Sequence, residues 1–167
     1  SGFIYGLTMA NSMIQVGQFK NILVIGSEAL SAITDWKDRN SCILFGDGAG
    51  AFLLGRSDGN DLNSSRFLSC HLFAVGTQPE LFHLPGGGSK TGTSHETVDQ
   101  GLHFMQMKGK EIFKEAVRML VDCAVAALEH NKMTIKDIDW VVPHQANIRI
   151  IEAVAKRLGL SMDKCIL

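Results

Sequence analysis

Apolar positions along the chain fall into three helical stripes separated by short strand-like runs. Phe3, Leu7, Ala10 and Ile14 recur at helical spacing, and Gly17 follows where a C-terminal cap belongs. Phe113, Ala116, Val117, Leu120, Ala124 and Leu128 form a longer stripe, which predicts one amphipathic helix from Met107 to His130 with Asn131 as its stop. The third run, Ala146 to Leu158, buries Ile148, Ile151, Val154, Ala155 and Leu158 and is closed by Gly159. Strands are expected at Asn21–Gly26, Ala49–Leu54, Phe67–Val75 and Ile138–Val142. Cys42–Phe45 and Ala49–Leu54 bracket what reads as a Gly46-Asp47-Gly48 turn. Pro143 ends the last strand because it has no N–H to donate to a ladder. Alternating strands and helices define an α/β class. The polar stretch Arg56–Ser65, with Gly59, Asn60 and Asn63, is the candidate boundary between two half-domains, residues 1–58 and 59–167.

Composition narrows the class without naming a chemistry. A chain of 167 residues, 46% of them hydrophobic, can bury the core of a globular domain. A net charge of −1 gives no global attraction to nucleic acid or membrane. No apolar run has the length of a membrane span, and no secretory signal opens the chain. Cys42, Cys70, Cys123 and Cys165 lack C-x-x-C spacing and read as reduced thiols of a cytoplasmic protein. His71, His83, His95, His103 and His130 lack metal-ligand spacing and are assigned to the surface or to turns, so no metal site is expected.

Glycine-rich stretches invite phosphate readings that their contexts oppose. Gly46-x-Gly48-x-x-Ala51 formally matches a dinucleotide fingerprint, which requires a following helix and an acidic residue about 20 positions on. Here the strand-like Ala51–Leu54 follows, so the glycines read as allowing close backbone approach within a sheet. Pro85–Glu96 holds Gly86, Gly87, Gly88 and Gly92, whose N–H groups could cradle phosphate. No Lys-Ser/Thr helix start follows, and a mobile loop is the expectation. Gly2 and Gly6 weaken the first helix intrinsically. They imply that its first turn packs closely on something, either another helix or a functional site.

His144 stands at the carboxyl end of a strand and just before a helix, where open α/β sheets build their sites. A histidine that only caps the strand–helix turn fits the same pattern. The octet Trp140-Val141-Val142-Pro143-His144-Gln145-Ala146-Asn147 resembles the histidine motif of the β-ketoacyl-acyl carrier protein synthase III family of thiolase-fold condensing enzymes. Ser1-Gly2-Phe3-Ile4-Tyr5-Gly6-Leu7 and Phe45-Gly46-Asp47-Gly48-Ala49-Gly50-Ala51 agree with the same family, in the same order.

The resemblance implies a thiolase-like α/β fold, layered αβαβα, with two duplicated half-domains. Residues 1–58 would be the second part of the N-terminal half and 59–167 the first part of the C-terminal half. The family's nucleophilic cysteine precedes the position of Ser1, and its partner asparagine lies beyond that of Leu167. The chain is therefore read as an internal piece of a longer enzyme, with Ser1 expected close to His144 and with apolar faces and strand edges bare when it stands alone. The implied reaction is a decarboxylative Claisen condensation of an acyl-coenzyme A primer with malonyl-acyl carrier protein, the first step of fatty-acid synthesis. Coenzyme A thioester is then a substrate, and no cofactor is implied.

By position, His144 takes the role of a neutral imidazole donating to the enolate oxygen. Arg39, Gly109, Phe113, Ala146 and Asn147 match coenzyme A-binding positions. Leu30, Phe45, Phe82 and Met105 match the primer pocket, although apolar residues of these types are also ordinary core. Lys110 replaces the family's asparagine, which puts one pantetheine hydrogen bond in doubt, and Asn40 replaces the glycine that follows the counterpart of Arg39. Lys114, Arg149, Lys156 and Arg157, with Lys108 and Lys110 nearby, form a basic surface suited to an acidic acyl carrier protein; solvated lysines on amphipathic helices account for Lys108 and Lys110 equally well. A cytoplasmic homodimer is the implied assembly. Two other readings stay open: a polyketide, chalcone-type or thiolase relative, and a non-catalytic thiolase-fold interaction module.

Overall fold

A computed structural model describes residues 2–57 and 65–167. The chain divides into two units, Ser1–Ala29 with Asp47–Leu72, and Leu30–Gly46 with Phe73–Leu167. The boundary expected between residues 58 and 59 lies outside the described residues.

In the first unit, helix α1 (Gly2–Gln15) lies on a two-stranded antiparallel sheet of β1 (Asn21–Ala29) and β2 (Asp47–Gly55). The helical stripe read from the sequence is the buried face: Leu7, Ala10 and Ile14 pack on Val24 and Leu54. Gly17 has φ +77°, the left-handed geometry expected of the residue that turns the chain after a helix. Gly6 answers to a strand rather than to a second helix. A Cβ placed there would lie 3.0 Å from Val24 Cγ1, tighter than ordinary packing, so Val24 or the helix would have to shift to take it. Gly26 sits beneath Phe3, where a Cβ would make only ordinary contact, and Phe3 meets Phe52 edge-on with ring centroids 6.5 Å apart.

Both strands outrun their apolar cores. Cys42–Phe45 is a turn and not a strand, and the Gly46-Asp47-Gly48 turn does not form, because Asp47 and Gly48 already belong to β2. Gly50, Ala49, Gly48 and Asp47 pair with Gly26, Ser27, Glu28 and Ala29. Small residues opposite one another let backbone pairing continue where the hydrophobic pattern has stopped. A strand and not a helix follows the glycines, against the dinucleotide fingerprint. The sheet face opposite α1 carries Leu23, Ile25 and Leu53, which are 57%, 64% and 67% exposed. Phe67–Val75, expected as a strand, forms none. Strand structure needs a partner as well as an apolar pattern, and this segment has no ladder partner among the described residues.

The second unit is organised around two helices, α3 (Gly109–His130) and α4 (Ile148–Leu158). Before them come β3 (Phe82–His83), α2 (His95–Asp99) and β4 (Gln106–Met107); β3 and β4 pair antiparallel, Phe82 opposite Met107. Val117 of α3 is buried with Ile150 and Val154 of α4, flanked by Phe113, Ala116 and Leu120 from the expected stripe. Asn131 caps α3, its N–H and side-chain amide both donating to Ala127 O. Gly159 ends α4 with φ +68°, as its place after the last apolar position required. The other side of α4, Ile151 and Ala155, packs on Cys165.

Gly6→Ala tests the helix–strand contact. Alanine gains about 1 kcal/mol of helix propensity, but forcing a methyl against a β-branched neighbour costs about 1–3 kcal/mol. The expected result is a net loss in urea unfolding of the complete protein. Gly2→Ala, with nothing within 4 Å of its Cβ, should not destabilise it.

Candidate active site

His144 lies in a loop between a short parallel pairing and a helix. The expected strand Ile138–Val142 shrinks to one bridge, Val141 with Cys165. Its pairing is nonetheless well made: Val141 N donates to Lys164 O at 2.8 Å, and Ile166 N donates to Val141 O at 2.9 Å. Lys164 Nζ also donates to Ile138 O. A 3-10 turn, Met162–Lys164, lies opposite the residues before Val141, so the ladder does not extend in that direction. From Val141 the chain runs through Pro143 and His144 to α4. The His144 side chain is exposed and makes no hydrogen bond among the described residues. Gln145 Nε2 donates to Pro143 O at 3.2 Å and to Ile166 O at 2.8 Å, which ties the loop back to the bridge.

Helix α4 starts two residues later than its apolar run because Asn147 caps it. The Asn147 side chain accepts from Arg149 N at 2.9 Å and satisfies an amide that has no partner inside the helix. Ala146 is exposed beside it. Arg149 is exposed in the first turn of α4 and forms no ion pair among the described residues. A cation there opposes the positive end of the helix dipole, so local stability does not account for it. Lys156 and Arg157 occupy the last turn, where the dipole favours them. Lys114 is exposed on α3.

The remaining candidates of the second unit fall into four places. Arg39 is exposed on a turn built by Asp38, whose carboxylate accepts from Asn40 N at 3.0 Å and from Ser41 Oγ at 2.6 Å. The Ser41 hydroxyl, followed by the Asn40 amide, holds the Asp38 carboxyl below its usual range. Sequence reasoning passed over Asp38, although an aspartate two residues before the amide it accepts from is the signal for such a turn. Phe45 and Phe82 stack with ring centroids 5.7 Å apart and planes 3° from parallel. Met105 is buried, and its N–H donates to Ile33 O, in the 3-10 turn that Leu30 begins. Gly109 opens α3 exposed, whereas Phe113 packs into the core between α3 and α4.

Other groups are accounted for structurally. The Pro85–Glu96 loop, expected to be mobile, is a hydrogen-bonded turn leading into α2: Gly86 N donates to Leu102 O and Gly87 N to Thr91 O, and Ser94 caps α2. Two of its amides are thereby spent on the protein's own carbonyls. The four cysteines form no disulfide. Cys165 is core, and burial, aided by Asp122, pushes the Cys123 thiol up and away from thiolate. His103 lies in a turn, half-buried against Phe104 at 4.0 Å between centroids, with Nδ1 enclosed and without a hydrogen-bond partner among the described residues. The expected proximity of Ser1 to His144 involves a residue outside the described ones.

Known proteins are similar to this chain in both fold and sequence. The family described as 3-Oxoacyl-[acyl-carrier-protein (ACP)] synthase III matches residues 1–76, and its C-terminal counterpart matches residues 128–167. A beta-ketoacyl-[acyl-carrier-protein] synthase III of Caldanaerobacter subterraneus is 48% identical over 164 residues, which is 98% of this chain and 48% of that protein. Its counterpart from Campylobacter curvus is 47% identical over 167 residues, 100% of this chain and 48% of the relative. The crystal structure of 3-oxoacyl-(acyl carrier protein) synthase III from Pseudomonas aeruginosa superimposes with a TM-score of 0.85 at 31% identity, covering 99% of this chain and 48% of that one. The Aquifex aeolicus enzyme gives 0.82 at 39%, covering 99% and 47%. The fold is thus that of the thiolase-like α/β condensing enzymes. Within that class, the chain belongs to the 3-oxoacyl-acyl carrier protein synthase III family. It spans about half the length of the curated relatives it matches.

Asn147→Ala removes the cap of α4 and should cost about 0.5–2 kcal/mol. Hydrogen exchange of the complete protein checks this: the amides of Arg149 to Ile151 should lose protection first.

Proposed function

We propose that the complete protein is an acyltransferase that condenses an acyl-coenzyme A primer with malonyl-acyl carrier protein and so starts fatty-acid synthesis. A cysteine thiolate attacks the primer thioester and releases coenzyme A as its thiol. The malonyl thioester then loses carbon dioxide, and the electron pair left behind forms an enolate whose carbon attacks the acyl-enzyme, expelling the thiolate. The costly moment is charge building on the thioester oxygen, and a fixed N–H donor meets it. The observation that carries this reading is the exposed His144 imidazole, uncommitted to any partner among the described residues, in a loop tied to both the Val141–Cys165 bridge and α4.

The other roles follow from the same reading. Helix α1 begins at Gly2 with no acidic residue in its first turn, so its positive end is free to favour a thiolate ahead of it. Arg39 meets the coenzyme's phosphates, and Gly109, Phe113, Ala146 and Asn147 border its pantetheine arm. Leu30, Phe45, Phe82 and Met105 limit the primer; the Phe45–Phe82 stack supports a flat apolar wall. Lys114, Arg149, Lys156 and Arg157 steer the acidic carrier, a role supported by Arg149, which opposes the dipole and has no ion-pair partner among the described residues. Residues 1–58 and 59–167 are assigned to the two thiolase-like halves, and the working form to a cytoplasmic homodimer that requires no cofactor or metal. No described helix is long and apolar enough to cross a membrane.

His144→Ala in the complete enzyme should slow release of carbon dioxide from the malonyl thioester about 10²–10³-fold, while acyl loading, read by intact-protein mass spectrometry, persists. Carbon dioxide release at the normal rate would remove His144 from this role.

Arg149→Glu should reduce turnover with malonyl-acyl carrier protein far more than with malonyl-coenzyme A, and added salt should narrow the difference. Equal losses with the two substrates would assign Arg149 to coenzyme binding or to the fold.

A further inference from the structure

We propose that Gln145 is a positioning residue for His144, its side-chain amide setting the direction in which the neighbouring imidazole is held. The proposal rests on the reading of His144 as the donor to the enolate oxygen. Between Val141, which is bridged, and Asn147, which caps α4, no backbone–backbone hydrogen bond holds the loop among the described residues. Pro143 has no N–H to offer. Among the described residues the His144 side chain has no hydrogen-bond partner that would orient it. The loop's one long-range hydrogen bond among the described residues is from Gln145 Nε2 to Ile166 O, at 2.8 Å, with the same nitrogen 3.2 Å from Pro143 O. Both partners are carbonyl oxygens, so only the nitrogen end of the amide can face them. The two acceptors flank the segment that matters. Pro143 immediately precedes His144, and Ile166 itself donates to Val141 O at 2.9 Å. One amide therefore closes a ring from the bridge through the histidine loop and back to the bridge.

A hydrogen bond to a developing oxyanion weakens steeply as its angle departs from linear. A misplacement of about 1 Å can cost about 10²-fold in rate. Releasing the loop at Gln145 should therefore impair the step that uses the imidazole and spare the step that does not.

The test uses the complete enzyme with two variants. Gln145→Ala deletes the amide, and Gln145→Glu keeps its shape but turns an acceptor toward two carbonyls. For both, kcat for decarboxylation of malonyl-acyl carrier protein should fall about tenfold or more, with KM and acyl loading from acyl-coenzyme A unchanged. Should the alanine variant not fold, the glutamate variant gives the same reading. Normal decarboxylation in a folded variant overturns the proposal. So does a parallel loss of loading and decarboxylation, which would mark Gln145 as a general structural residue. His144→Ala run alongside separates the two ideas. If it decarboxylates normally, the histidine reading falls and this proposal with it. If it is inactive while the Gln145 variants are normal, only this proposal falls.

Discussion

The parallel contact between Val141 and Cys165 is the constraint on which the histidine loop depends. It is a single bridge, yet it fixes where the chain leaves for His144 and where it arrives from α4. Cys165 serves it twice, pairing through its backbone and filling the space beside Ile151 and Ala155 with its side chain. Helix α4 is thereby gripped on two faces, by Val117 of α3 on one side and by Cys165 on the other. A loop joining two such fixed ends can be short of internal hydrogen bonds without losing its course. Its exposed residues can then be chosen for chemistry, which is how scaffolds generally carry functional loops.

Charge is distributed along α4 with a comparable division of labour. Lys156 and Arg157 stabilise the C-terminal end of the helix, so their presence has a local cause. Arg149 has none: it opposes the dipole and lacks an ion-pair partner among the described residues. A residue that breaks a local rule without local compensation is where a function is best sought. The Asp38 turn is different in kind. There a carboxylate, two amides and a hydroxyl are satisfied among themselves, and Arg39 is displayed because its neighbours are committed.

In the first unit, the decisive contact is the absence of a side chain. Gly6 lets α1 approach Val24, and that approach buries Leu7, Ala10 and Ile14. Helix propensity alone would have favoured almost any other residue there. The opposite face of the same sheet remains apolar and exposed at Leu23, Ile25 and Leu53. Each strand thus reads as a continuous apolar run and not as an alternating one, as strands covered on both faces do.

The sequence by itself determined helices α1, α3 and α4, their stops and the identity of the family. Gly17, Asn131 and Gly159 each end a helix where the apolar period breaks, because capping is local chemistry among neighbouring residues. The motifs around Gly46, His144 and the start of α1 are local as well, and they were enough to place the chain in its family. Asn21–Gly26 and Ala49–Leu54 were legible as strands too, but the tertiary structure decided how far they run and which other candidates pair. Phe67–Val75 and Cys42–Phe45 have the composition of strands and form none, while Asp47–Gly50 lacks it and pairs. It also decided that the strand before His144 would be one bridge and that Gln145 would reach a carbonyl 21 residues away. Helices satisfy their backbone within a few residues of sequence, so their signals are written there. A strand and a loop-pinning amide take their partners from elsewhere in the chain, and only the folded structure says which partner arrives.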